Sequence, residues 1–396
     1  MITRAEAEQI AARWARSESD QRGYHCEPML DEFDLGFVIW TRQPATILPV
    51  PGDGARTVID RETGVLSTWP GIPLDNLAAH YRGRRPAPTR TVEAAAAIRR
   101  AAHRSPTPTS AAHLTVDGRL FRAHGAKGDQ RISHHPLVKR YLSTVDEGAR
   151  VRGAERHAEL VAVSDALYSM PATITLGEAR GRLRAAEFAV YLVRETGNPA
   201  GGRPARPCET CIGALVDFAL LPWSDLAFTT EWRHDSDRIP QPGRFPHEVA
   251  RVLAGGGWTS ANEAIGDIMI SRATEVSGGR LRPFGAARRI AAEFPGVRCG
   301  RRGAGLRRAV RLLTIEPALG AYAVTALDEL ARLTGVPLFP IGIEGGDAVV
   351  AVDELGRVFV LDQAGEWFVG QSIDEALVSL LAGDGPAARV RDDGTW

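Results

Sequence analysis

Apolar positions in the opening stretch change period within a short distance. Ala7, Ile10, Ala11 and Trp14 recur at helical spacing behind a Thr3/Glu6 capping box, which predicts an amphipathic helix. Residues 33–40 then read as a strand, 57–60 and 65–69 as a hairpin around Arg61-Glu62-Thr63-Gly64, and 74–81 as a short helix. This is the pattern of a small α+β unit over residues 1–83.

Periodicity lapses in 84–110. Arg84, Arg85, Arg90, Arg99, Arg100 and Arg104 face the single acid Glu93, and Pro86, Pro88, Pro106 and Pro108 flank an alanine-rich stretch, 92–102. A basic, proline-flanked linker with one exposed helix is the expectation, and a solvated linker is favoured over a nucleic-acid contact.

Alternation begins at His113, with Leu114 and Val116 before Asp117-Gly118 and Leu120 and Arg122 after it, a hairpin signal. His134-His135-Pro136 precedes a helix through Tyr141 and Leu142. After His157 the run Leu160, Val161, Val163, Ala166, Leu167 predicts a second helix, 187–194 a strand, 197–206 a loop, and Cys208 to Phe218 a third helix. This unit is placed at 111–234.

Beyond a proline-rich break at 238–246, helices are predicted at 245–253, 262–272 and 324–333, around a basic insertion holding Arg298, Arg301, Arg302, Arg307 and Arg308. Three short strands follow at 348–352, 357–361 and 366–370, joined by turns at 353–356 and 362–365. Ser372 and Glu375 cap a last helix with Ala376, Leu377, Leu380 and Leu381 inside. A second small α+β unit, 245–385, and a tail, 386–396, complete the chain.

Composition narrows the function classes. With 48 basic and 48 acidic residues the chain lacks the basic footprint of a dedicated nucleic-acid binder, although local arginine clusters remain. Cys26 and Cys299 have no disulfide-framework spacing, which argues for a reducing compartment. The first residues hold no apolar signal core, and no run approaches the length of a membrane span. A cytoplasmic protein is expected, unless a non-classical secretion route carries it.

The chemistry is concentrated in His157-Ala158-Glu159 and Pro207-Cys208-Glu209-Thr210-Cys211. One histidine and two thiolates can fill three corners of a tetrahedron around Zn²⁺, leaving a fourth for a water that the metal acidifies, while Glu159 stays free for proton transfer. Cysteines three apart at the start of a helix point their sulfurs the same way, and the helix end favours the thiolate. A redox dithiol is the competing reading, but no thioredoxin-like order of strand and helix surrounds it. Half of a structural zinc site is another, but no second Cys-x-x-Cys exists in the chain. His134 and His135 are candidate substrate contacts, against a plainer role in capping or packing.

Residues 113–232 resemble the YwqJ-like branch of the cytidine-deaminase-like superfamily, on the strength of His-x-Glu, Pro-Cys-x-x-Cys and the upstream His-Pro pair. The resemblance implies a central α/β/α sandwich, with His157, Cys208 and Cys211 as zinc ligands and Glu159 as proton shuttle. Where many relatives carry a cysteine first ligand, this chain has His157. The opening unit resembles YrhB-type immunity domains, through its first helix, the Phe37-Val38-Ile39-Trp40 strand, and Val58 to Gly64 followed by Pro73-Leu74 and Tyr81. The closing unit resembles the SUKH superfamily of immunity proteins, through Gly257-Trp258, Phe284-Gly285, Ile315-Glu316-Pro317, Pro340-Ile341-Gly342, the 353–359 hairpin and Asp374-Glu375-Ala376-Leu377. The implied fold is a multidomain α+β and α/β chain with the deaminase-like sandwich between two small α+β domains.

The expected function is zinc-dependent hydrolytic deamination of an amino-substituted nucleobase, as nucleoside, nucleotide or single-stranded nucleic acid, within a bacterial toxin-immunity system. The flanking units would meet a toxin or immunity partner. The alternative is an immunity or binding protein whose zinc site is a structural scaffold or is held in check by its own flanks.

Overall fold

Along the strand Phe37-Val38-Ile39 consecutive side chains leave a sheet on opposite faces, and each face acquires its own helix. Phe37 and Ile39 pack with Ala7, Ile10 and Ala11 of α1 (Arg4–Arg22). Val38 packs with Leu77, Ala78 and Tyr81 of α2 (Leu74–Arg84). Between them lie β1 (Glu27–Phe33), β2 (Gly36–Arg42), β3 (Arg56–Asp60) and β4 (Leu66–Trp69) of the first sheet. The hydrophobic pattern does not announce β1, an edge strand whose Glu27, Asp31 and Glu32 leave only Phe33 buried.

This is a computed structural model, described over residues 2–22, 24–46, 56–62, 66–69, 72–84, 105–129, 131–222 and 236–396. The alanine-rich helix expected at 92–102, most of the linker, and the end of the middle unit beyond residue 222 lie outside the described residues. No helix among them is long and apolar enough to cross a membrane.

The middle unit begins with β5 (Thr109–Val116), so its first strand starts inside the stretch read from composition as linker. Ser105 and Thr107 just before it are already buried. β5 turns at Asp117-Gly118 into β6 (Arg119–His124), and the short β7 (Arg131–Ile132) leaves this unit to pair in parallel with β4, adding a fifth strand to the first sheet. Then come α3 (Pro136–Thr144), α4 (Ala158–Tyr168), α5 (Leu176–Leu183), β8 (Glu187–Val193) and α6 (Glu209–Asp217). β5 runs antiparallel to both neighbours in the order β6-β5-β8. Every residue of α4 is buried, because it sits between this sheet and α3 and α6.

The last unit contains α7 (His247–Gly255), α8 (Glu263–Val276), α9 (Gly285–Glu293), β9 (Arg298–Cys299), β10 (Leu313–Thr314), α10 (Pro317–Gly320) and α11 (Val324–Thr334). It continues with β11 (Leu338–Glu344), β12 (Ala348–Asp353), β13 (Val358–Asp362), β14 (Gly365–Gly370), α12 (Ile373–Ala382) and β15 (Ala388–Arg389). These seven strands form one antiparallel sheet in the order β15-β14-β13-β12-β11-β10-β9. The stretch read as a tail is part of it: β15 pairs with β14, Val390 is fully buried, and the Trp396 ring stacks 5.1 Å from Phe368. An apolar residue every few positions is too weak a pattern to reveal a two-residue strand.

The middle unit seats against one end of this sheet, where β11 and β13 finish and β12 and β14 start. Arg152 bridges to Glu344 and Asp362, Lys127 lies 3.5 Å from Glu366, and Arg194 donates to the Asp347 carbonyl. Glu195 accepts from the Thr325 and Ala326 amides at 3.0 Å each, filling the N-terminus of α11 from the neighbouring unit. Arg302, from the basic insertion, pairs with Glu209. The insertion therefore serves contacts within the chain: Arg301 meets Glu248, and Arg308 donates to Ser379 and the Gly385 carbonyl.

Candidate metal centre and its carboxylate

His157 is the N-cap of α4 and Cys208 the N-cap of α6, so each stands where its helix leaves backbone N–H groups unpaired. Cys211, three residues on, returns to the same side of α6. The His157 Nδ1 lies 3.3 Å from Cys208 Sγ and 3.5 Å from Cys211 Sγ, and the three donor atoms fall within 4.8 Å of one another. A tetrahedral zinc with ordinary bond lengths would separate a nitrogen and a sulfur ligand by about 3.5 Å. The donor set therefore fits that ion in both chemistry and spacing, and all three side chains are buried.

The electrostatics suit a metal-binding thiolate. Burial works against charge on His157, but the adjoining Cys208 thiolate outweighs it and pushes the imidazole up to about 9. Burial likewise opposes ionisation of Cys208, yet hydrogen bonding from Cys211 and the imidazolium charge carry it well below the usual thiol range. Cys211 goes the other way, held up by burial and then by its ionised neighbour. Without metal, one sulfur is charged and the other keeps its proton.

Glu159 occupies the first turn of α4 and is 1% exposed. Burial pushes its carboxyl up, with His157 pulling the other way, and it interacts directly with Cys211. It is thus a buried carboxylic group beside the triad that is not one of the three clustered donors.

The surrounding residues fix these two helix starts. Thr210, between the cysteines, accepts from the Val151 amide at 2.8 Å through Oγ1, and its carbonyl accepts from the Tyr141 hydroxyl at 2.9 Å. A one-turn 3₁₀ helix, Ala154–Arg156, runs directly into His157. Buried Arg156 donates from Nη1 to the Ala126 carbonyl, tying that segment to the end of β6.

His134 and His135 have local partners. The His134 Nε2 donates to the Glu155 carbonyl at 2.5 Å, and burial holds this imidazole down to about 4, so it is neutral. His135 caps α3, its Nδ1 accepting from the Leu137 amide, and its ring meets Tyr168 edge-on at 5.1 Å.

One residue at the site had no signal in the sequence. Gln363, from the turn between β13 and β14, accepts the Ala158 amide at 3.1 Å through Oε1 and reaches toward Glu159 Oε2 with Nε2 at 3.5 Å. Its turn was legible at 362–365, but nothing in the pattern gives a turn glutamine a partner 204 residues away.

Residues 5–87 match the family model of the Immunity protein 35-like domain, residues 100–219 that of the YwqJ-like deaminase, and residues 245–383 that of the SUKH-3 immunity protein. No curated protein and no solved structure matches the chain.

Proposed function

We propose, on the premise that the chain is a YwqJ-like deaminase unit held between two immunity-type units, that its middle unit is a zinc-dependent hydrolytic deaminase of amino-substituted nucleobases. The observation that carries this reading is the buried Glu159 carboxyl beside, and separate from, the clustered donors of His157, Cys208 and Cys211. Zinc held by these three side chains would supply Lewis acidity that brings a water near its ionisation point at neutral pH.

The protein's own groups then handle protons and position. Glu159 takes a proton from the attacking water and returns protons to the ring nitrogen and to the departing amine. The ring carbon gains a bond to oxygen and loses its bond to nitrogen, so water enters, ammonia leaves and nothing is oxidised. A carboxyl that burial raises above its ordinary range suits this traffic, since it holds the proton more readily between one transfer and the next. His134 and His135 receive positioning roles here in place of substrate contact. His134 holds the carbonyl two residues before His157, and His135 fixes the start of α3.

The substrate class stays at nucleoside, nucleotide or single-stranded nucleic acid, and the setting at a cytoplasmic toxin-immunity system. The immunity-type flanks support a toxin or immunity protein as partner. The deciding experiment measures zinc per chain together with ammonia release from bases, nucleosides, nucleotides and single-stranded DNA and RNA, with Glu159→Ala as control. Ammonia that appears only with Glu159 intact supports the reading; equal release by Glu159→Ala refutes it. One zinc per chain without ammonia, even after the turn bearing Gln363 is displaced, would favour a zinc-stabilised binding scaffold.

A further inference from the structure

We propose that the turn Asp362–Gly365 of the SUKH-like unit is a pseudosubstrate plug that closes the deaminase site in cis, with the Gln363 side chain as its tip. This rests on the deaminase reading for its meaning and on geometry for its existence. A carboxamide is a planar O=C–N group, the shape that an amino-substituted ring offers at its reactive edge. Here its oxygen takes the Ala158 N–H, at the residue between His157 and Glu159, while its nitrogen faces the Glu159 carboxyl. Gln363 is 5% exposed, so the tip and the groups beneath it exclude solvent together.

Both sides of the contact are shaped for it. A Cβ on Gly125, just after β6, would stand 2.3 Å from the Gln363 carbonyl oxygen and 2.6 Å from its Cβ. A Cβ on Gly153 would stand 2.5 Å from the Ala364 Cβ and 2.6 Å from Trp367 Cζ2. Only positions without side chains let the turn come this close. Asp362 Oδ1 accepts from the Ala364 amide within the turn at 2.8 Å and from Trp367 Nε1 in β14 at 3.0 Å, so the turn is held by its own unit as well as by the site. Asp362 Oδ2 then meets Arg152, which is itself buried and lies 2.6 Å from Glu344. A plug supported in this way blocks the site until the two units part, an event that a partner gripping the SUKH-like unit would drive.

Two variants test it from opposite sides, both in the full chain. Gln363→Ala removes the tip. Gly125→Leu pushes the turn out from the deaminase side, at a position whose backbone is not in the left-handed region. The first readout is the rate of iodoacetamide alkylation at each cysteine of the metal-free protein, resolved by peptide mass. Buried Cys26 and Cys299, in the two flanking units, serve as internal references. Losing a buried hydrogen-bonding tip corresponds to about a tenfold change in exposure of what lies beneath. The expected result is a rise of about that size at Cys208 and Cys211 alone in both variants. Unchanged labelling at Cys208 and Cys211 in both variants overturns the plug, and so does a rise shared equally by all four cysteines, which reports a loosened fold. Ammonia release from the same proteins with zinc is the second readout, and it separates the two ideas. Selective labelling together with faster release supports both, whereas selective labelling without ammonia from any base keeps the plug and removes the deaminase.

Discussion

The Arg152 guanidinium of the middle unit lies 2.6 Å from the Glu344 carboxylate of the last unit, and both side chains are almost entirely shielded from water. The same Nη2 is 3.3 Å from Asp362, so one cation answers two acids across the boundary. Burial opposes charge on Arg152, but Glu344 and then Asp362 outweigh it and raise the group further. Removing one member of such a set strands the others without solvent. Arg152→Ala is expected to destabilise the docked arrangement by about 3–5 kcal/mol. Thermal unfolding followed by calorimetry would then split into separate transitions for the middle and last units, where the unaltered chain unfolds them together.

The roles proposed for Glu159 and Cys208 are separable by substitution. Glu159→Ala removes the buried carboxyl while leaving His157, Cys208 and Cys211 in place, so the protein should still bind one zinc but lose deamination by about 10²–10⁴-fold. Cys208→Ala should lose both the metal and the activity. Elemental analysis beside an ammonia assay distinguishes the two outcomes.

Metal binding should depend on pH with a definite sign. His157 ligates only when neutral, yet beside the Cys208 thiolate it keeps its proton up to about 9. Binding therefore releases that proton, and apparent zinc affinity falls as pH drops below about 9. A competition titration against a chromogenic chelator between pH 7 and 9.5 would show affinity rising with pH across that range; a flat profile would contradict the assignment.

Glu329 of α11 contributes the opposite kind of linkage. Burial pushes its carboxyl up to about 7, only partly offset by the Ser105 amide that it accepts from the middle unit. The folded state thus holds this proton more tightly than the unfolded chain does. Stability from this group is complete below the ordinary value near 4.5 and is lost as pH rises through about 7. Glu329→Gln keeps an acceptor for Ser105 and carries no charge. It should be more stable than the unaltered chain at pH 8 and indistinguishable from it at pH 4, as read by denaturant midpoints at the two pH values.

Much of this protein is local, and a good part of what is local was legible in the sequence, though not the helices α5 and α9 or the strand β11. Helical spacing at Ala7, Ile10 and Ala11, the apolar run Phe37 to Ile39, and the hairpin turns at Asp117-Gly118 and residues 362–365 each depend on neighbours a few positions away. The triad was legible for the same reason at each half: His157 and Glu159 are two apart, Cys208 and Cys211 three, and one imidazole with two thiols is a donor set that suits a metal. Local pattern could not show β1, whose polar edge hides it, or β15, which is too short to carry a period.

Tertiary structure alone decided how the three units meet. Gln363 is an ordinary turn residue by its neighbours and becomes part of the site only because β13 and β14 deliver it to the start of α4. Arg302 reads as one charge in a basic insertion until it finds Glu209 between the cysteines. Gly125 and Gly153 read as loop glycines until another backbone and a tryptophan ring lie where their side chains would be. These contacts join residues far apart in the chain, and their free energy comes from desolvation and close approach across a docked surface. Composition and periodicity record the short-range preferences of the backbone and therefore carry no trace of them.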